Sequence, residues 1–244
     1  LTLICGSLLF MTLGVDPLQA LYTFFIMPVN NLDGLTELGV KATPILLCAT
    51  GLAVCFRANV WNIGAEGQLL MGALIGSWCA LELLDAEGVW VLPLVLLTGS
   101  AAGAAWAALP ALLKTRFHTN EILTTIMFNY IALNILLYAI HGPLKDPAGF
   151  NFPESALFSD WQLLPILVDG TRLHLGAAFA LLAVVATWTF LAKTFIGFQI
   201  SVLGRDARSA HYAGFQQHKL TWLALLLCGG LAGLAGGSEV TGPI

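Results

Sequence analysis

The chain has 244 residues, 58% of them hydrophobic and only 10% charged, with a formal net charge of −4. A water-soluble domain carries about 25% charged residues. The mean hydropathy of +0.84 therefore excludes an ordinary soluble domain and points to a membrane protein that crosses the bilayer several times.

The apolar residues come in long blocks rather than short alternating segments, so the expected fold class is all-α, not a β-barrel. Seven blocks approach the roughly 20 residues a bilayer demands: 1–14, 36–57, 66–84, 89–113, 121–142, 173–192 and 217–240. The first block is short, and Leu1 stands where a methionine would begin a whole chain. The last block is Gly-rich, apolar and followed only by 241–244. A piece of a longer chain is therefore expected. Between the first two blocks, residues 18–27 are too short to span and read as a surface or re-entrant helix.

Charge sets the expected orientation. If the connections 58–65, 114–120 and 193–216 face the cytoplasm, then Arg57, Lys114, Arg116, Lys193, Arg205, Arg208 and Lys219 gather there. Only Lys41, Lys145 and Arg172 fall toward the other side. That asymmetry satisfies the positive-inside rule and puts the amino end in the cytoplasm. Trp90 and Trp161 suit an outer aromatic belt, and Trp222 an inner one. Cys5, Cys48, Cys55, Cys79 and Cys228 all lie in apolar runs without metal-ligand spacing, and read as small packing residues.

Polar residues inside such a chain need an explanation, because a buried amide or carboxylate is costly without a partner. The stretch NVWNIGAEGQLLMG (59–72) carries Asn62, Glu66 and Gln68 around Gly64 and Gly67. The glycines weaken helix continuity, so a break is expected near 62–68, with Glu66 pairing with Arg57. A structural clamp and a gating element of a transport pathway both fit.

In the fifth block Glu121, Thr125 and Asn129 recur at helical spacing, widened by Asn120 and Thr124 and extended by Asn134. They form either an interhelical hydrogen-bonding stripe or the wall of a path for a neutral, hydroxyl-rich solute.

The segment 141–172 contains Pro143, Pro147, Pro153 and Pro165 and reads as an external loop with a short helix near Ser159. A lid and a docking surface remain open for it.

Residues 193–219 are longer than a simple connection needs. Within them 204–214, GRDARSAHYAG, is a short helix between glycines. Ala207, Ala210 and His211 share a face, with Arg205 and Arg208 on another part of the turn. A docking helix and a solvated interfacial helix both fit. Gly229 to Gly237 favour close helix packing. GAEG and GGSEVTG each place a carboxylate among glycines, which hints at an internal repeat.

Four segments occur in a telling order: NVWNIGAEGQLLMGA, NEILTTIMFNYIA, VLGRDARSAHYAGF and LCGGLAGLAGGSEV. Together they resemble the permease subunits of bacterial ABC importers for branched-chain amino acids, sugars and nucleosides, above all the nucleoside/simple-sugar branch.

The resemblance implies one transmembrane permease domain over 1–244, moving a nucleoside or simple sugar inward across the bacterial cytoplasmic (inner) membrane. It implies that 204–214, through Gly204, Arg205, Ala207, Ala210 and Gly214, couples to a cytoplasmic ATPase. On this reading a bulky residue at Gly204 or Ala210 abolishes uptake but not insertion. It further implies a second permease subunit, an extracytoplasmic substrate-binding protein, and spans beyond residue 244.

The chain contains no Gly-x-x-x-x-Gly-Lys-Ser/Thr phosphate loop. ATP and Mg are therefore expected on the partner ATPase, with no cofactor or metal in this chain, no catalytic residues and no nucleic-acid partner. Two alternatives stand beside this reading. One is a permease for branched-chain amino acids. The other is a proton- or sodium-coupled secondary transporter with Glu66 and Glu121 as carriers.

Overall fold

The computed structural model describes residues 1–147, 149 and 152–243; positions 148, 150 and 151 of the 141–172 loop, and 244, lie outside the described residues. The amino-terminal part comprises α1 (Thr2–Thr12), α2 (Pro17–Phe25) and α3 (Met27–Asn30). The body is built from α4 (Leu32–Arg57), α5 (Ala65–Glu82), α6 (Val91–Phe117) and α7 (Glu121–His141). It is completed by α8 (Gly176–Lys193), α9 (Phe195–Arg205), α10 (Ala207–Tyr212) and α11 (Gln217–Val240). The fold is all-helical, as composition demands.

All seven expected blocks are helical. Of these, α4, α6, α7, α8 and α11 are long and apolar enough to cross a membrane. α5 has 18 residues, but Glu66 and Gln68 in its first turn and Glu82 in its last make it more polar. α1 has 11 residues, none of them buried, and packs on α2.

Side-chain caps set several helix starts. Asp16 accepts from Leu18 N at 2.9 Å, with Pro17 in the first turn. Asn31 accepts from Gly34 N and Asn120 from Ile122 N, both at 2.9 Å. In α4 the buried Thr36, Thr43 and Thr50 return their hydroxyls to the carbonyls of Leu32, Gly39 and Leu46. These hydroxyls are satisfied without leaving the helix.

α11 lies at the centre, packed on α6, α5 and α4, and its core face is made of small residues. A Cβ on Gly72 of α5 would stand 2.4 Å from Gly233 Cα, and one on Gly229 would stand 2.5 Å from Gly103 O of α6. Backbones that close leave no room for a methyl group. The close packing expected of the 229–237 glycines is what they do, and it lets dispersion contacts and backbone polarity hold helices that apolar burial alone would not.

The helices run alternately between two ends. At one end Arg57, Lys114, Glu121, Leu203 and Gln217 come together around the α4–α5, α6–α7 and α9–α11 connections. At the other, Gln162 donates to Ala80 O (2.8 Å) and Leu83 O (3.0 Å), and Leu164 N donates to Thr241 O (2.8 Å). There too Arg172 holds Glu37 through Nε–Oε1 and Nη2–Oε2, each 2.9 Å. The connections group at two ends, with Arg57 and Lys114 at the first and Arg172 at the other.

Part of the 141–172 segment packs onto the bundle. Its 3₁₀ turn, Asp160–Gln162, coincides with the short helix expected near Ser159, and Gln162 and Leu164 are buried. His174 is 3% exposed and accepts from Gly176 N through Nδ1. Burial pushes its pKa below the ordinary histidine value, against an opposing pull from Glu239.

Candidate functional site

A break exists, but upstream of the expected 62–68, so that Glu66, Gly67 and Gln68 belong to α5: helix stops at Arg57 and resumes at Ala65. The chain between them turns through Asn59 at φ 55°, a left-handed conformation that asparagine tolerates better than most residues. Gly64 precedes α5 at φ −88°, and Gly67 lies inside that helix. Their glycine character therefore answers a demand for space. A Cβ on Gly67 would stand 2.8 Å from Asn129 Oδ1, and one on Gly64 would stand 3.0 Å from Thr125 Cβ.

The two amides of the motif are buried, each 1% exposed, and the carboxylate is not. Asn62 Nδ2 donates to Gln68 Oε1 (3.1 Å) and to Cys228 Sγ (3.1 Å). Its Oδ1 accepts from Gly64 N (2.9 Å) and Gln68 Nε2 (3.3 Å). All four hydrogen-bonding positions of the Asn62 amide are used.

Glu66 stands exposed in the first turn of α5, where the helix dipole favours a negative charge. The expected Glu66–Arg57 ion pair does not form, and Arg57 Nε donates instead to Ser201 Oγ of α9 at 3.1 Å. Exposure removes the desolvation cost that would have required a partner for Glu66.

The polar stripe of α7 divides. Thr125 is fully buried, and its Oγ1 accepts from Ile63 N at 3.2 Å. Asn129 straddles the break, with Oδ1 accepting from Gly67 N at 2.8 Å and Nδ2 donating to Ile63 O at 2.9 Å. Interhelical hydrogen bonding thus accounts for both residues, and it satisfies backbone groups that the break orphans.

Glu121 meets Lys114 Nζ at 2.6 Å, closing the α6–α7 connection. Asn134 is exposed on another face, where Nδ2 donates to Tyr130 O at 2.7 Å. Sequence reasoning missed Cys228, which joins the cluster from α11, 166 residues away from Asn62. No local signal marks it apart from its place in an apolar run.

At the basic end a hollow of about 750 Å³ lies between Asn59, Lys114, His118, Glu121, Ala207 and His218. Beside it α10 is shorter than the expected 204–214 helix, because Gly204 belongs to α9 and Asp206 starts a new helix. Asp206 accepts from Arg208 N (3.0 Å), Ser209 N (3.3 Å) and Ser209 Oγ (2.7 Å). The Ser209 hydroxyl first, and then the Arg208 amide, hold the Asp206 carboxyl below its ordinary pKa. Gly214, at φ 75°, ends the motif in the left-handed region glycine favours.

Two of the residues expected to couple to an ATPase point inward. Ala210 is fully buried with Val54, Val60 and Ile200, and a Cβ on Gly204 would stand 2.0 Å from Arg57 O. A bulky residue at either position would disrupt the chain's own packing, so lost uptake in such a variant would not by itself report coupling. The outward surface consists of Arg205, Ala207, Arg208, Ser209, His211 and Tyr212, with Tyr212 91% exposed.

The repeat suggested by GAEG and GGSEVTG is not supported, since one lies at the start of α5 and the other at the end of α11. Trp222 donates to Thr115 Oγ1 at 2.9 Å within the bundle.

No solved structure matches this chain significantly. Among curated proteins, the glucose ABC transporter permease protein TsgB13 of Haloferax volcanii is 37% identical over 97% of this chain and 64% of its own length. The guanosine ABC transporter permease protein NupP of Bacillus subtilis is 38% identical over 83% of this chain and 58% of its own. The nucleoside ABC transporter permease protein NupB of Lactococcus lactis is 28% identical over 95% of this chain and 65% of its own. The chain therefore spans 58% to 65% of the length of these relatives. A model of the branched-chain amino acid transport system / permease component matches residues 34–243, which takes in the break, the α7 stripe, α10 and the glycine-packed α11. The chain belongs to that permease family.

Proposed function

We propose that this chain forms the membrane-spanning permease subunit of an ATP-driven importer that moves a nucleoside or a simple sugar inward. The observation that carries the reading is the exposed surface of α10, beside the hollow at the basic end of a bundle whose packed body matches the permease family. Three relatives whose names specify glucose, guanosine and nucleoside support the choice of cargo.

On this reading α10 is the contact through which a separate cytoplasmic ATPase moves the helices. Tyr212 and Arg208 face outward for it, while Ala210 anchors the turn to the bundle. The buried amide cluster and the Asn129 bridge keep the break between α4 and α5 in one shape as that force is applied. Their role is support and gating, not substrate contact. The partner ATPase supplies ATP and Mg, a second permease chain completes the pathway, and an extracytoplasmic binding protein delivers the solute. The site is the cytoplasmic membrane, with the basic end inside.

The test is uptake of labelled guanosine and labelled glucose by the full-length permease assembled with its natural partners. Each is measured with an active and a disabled ATPase. Uptake that stops with the disabled ATPase is the expected result. Uptake that continues, but collapses with a proton or sodium gradient, would refute the importer reading.

A further inference from the structure

A second hollow opens near the opposite end of the bundle, between α5, α7 and the start of the 141–172 loop. It measures about 660 Å³ and is lined by Trp78 and Glu82 of α5 and by Ile135 and Tyr138 of α7. A smaller hollow of about 360 Å³, lined by Tyr130, Asn134, Ile135 and Tyr138, adjoins it. The two share Ile135 and Tyr138, so they form one groove running from the outer loop into the middle of α7.

Three features set this groove apart from a lipid-facing surface. Asn134 lies well inside a membrane-spanning helix yet is exposed, and its amide donates only to the carbonyl one turn back. An amide left with unused hydrogen-bonding capacity at that depth faces water or a polar solute rather than hydrocarbon. Trp78 and Tyr138 are 51% and 74% exposed, and both line the concavity. Glu82 Oε1 accepts from Trp78 Nε1 at 3.1 Å, which steadies the indole and brings a carboxylate to the rim.

We propose that this groove is a subsite for the cargo, taking a nucleoside whose base stacks on Trp78 or Tyr138 while its sugar hydroxyls turn toward Glu82 and Asn134. Aromatic faces with a few polar groups suit a flat heteroaromatic base. A hexose would need a denser set of donors and acceptors than this mostly hydrocarbon lining offers. The inference rests on the importer reading and names both the class of its cargo and the residues that meet it. It also moves the solute path from Thr125 and Asn129, whose polar groups the break occupies, to the Tyr130–Asn134–Tyr138 side of α7.

The probe is 8-azidoguanosine, a photoreactive purine nucleoside, with the full-length permease assembled with its partners in vesicles. After irradiation the labelled peptides are identified by mass spectrometry. Label is expected in 71–82 and 135–147, suppressed by excess guanosine and not by glucose. It should fall about tenfold in Trp78→Ala or Tyr138→Ala and persist in Trp78→Phe, which keeps an aromatic ring.

Label confined to other helices, suppression by glucose, or unchanged labelling in both alanine variants would overturn the proposal. So would cross-linking that places a second permease chain in the groove. Photolabelling needs no ATP hydrolysis, so its failure is distinguishable from failure of the importer reading, which ATP-dependent uptake decides separately.

Discussion

Replacing Asn62 by leucine tests whether the buried amide cluster holds the break together. The substitution removes all four of its hydrogen bonds and leaves Gln68 Oε1, Gln68 Nε2 and Gly64 N–H without their partner. A buried unpaired polar group costs about 1–3 kcal/mol, and hydrogen bonds between membrane helices often contribute less. A loss of about 2–4 kcal/mol is expected. At ~2–4 °C per kcal/mol for a chain of this size, that lowers the melting temperature by about 5–15 °C.

Gln68→Met alone should cost about 1–2 kcal/mol, because Asn62 keeps Gly64 N and Cys228 Sγ as partners. The double variant removes both sides of the amide pair, and near-isosteric apolar groups replace them. It should therefore be less damaged than the two losses added together, by about 1–3 kcal/mol. Melting curves of the four purified proteins in detergent give the coupling. A double variant that loses the full sum of the singles would refute the claim that the two amides satisfy each other.

Further outcomes follow from other parts of the bundle. Gly72→Ala or Gly233→Ala should prevent correct packing of α5, α6 and α11, because the added methyl meets backbone. Overpacking typically costs ~1–3 kcal/mol, and the yield of monodisperse protein on size-exclusion chromatography should fall accordingly. Tyr212→Ala should leave the melting temperature unchanged and reduce ATP-dependent uptake about tenfold, whereas Ala210→Leu should lower both; unchanged uptake in Tyr212→Ala would count against α10 as the coupling surface.

His174 binds its proton more weakly when folded than when unfolded, so the unfolded chain takes up more protons in the window below pH ~6.5. Stability should be full above that value and decline as the pH falls toward the folded pKa. His174→Gln should flatten the dependence, as followed by melting temperature against pH. Glu37→Ala should leave the melting temperature nearly unchanged, since its ion pair with Arg172 is exposed.

How much of this was legible in the sequence depended on whether each signal was local. The break, expected at 62–68 and found at 58–64, and the short turn near Ser159 lay in contiguous residues, and glycine, polar and proline patterns exposed them. So did the glycine-packed character of α11. The boundaries of α10 were less clear. Gly204 looked like a helix border, but Asp206 begins the helix because its carboxylate caps Arg208 N and Ser209 N.

The function of the α7 stripe was beyond reach, because periodicity shows that Thr125, Asn129 and Asn134 are polar but not what each one meets. Thr125 and Asn129 meet backbone groups more than 60 residues away. Asn134, five residues beyond Asn129, meets none of them.

The sequence by itself determined that the chain is helical and belongs in a bilayer, and it set an uneven distribution of basic residues among the connections. Those properties follow from hydropathy and charge summed along the chain, and no packing is needed to read them. Only the tertiary structure decided that Glu66 is exposed, that Cys228 completes the Asn62–Gln68 cluster, and that Trp78 and Tyr138 share one groove. The partner of a buried polar group, and the face a helix leaves open, depend on where distant segments come to lie. In a bundle packed backbone to backbone through its glycines, that placement is a property of the whole assembly of helices.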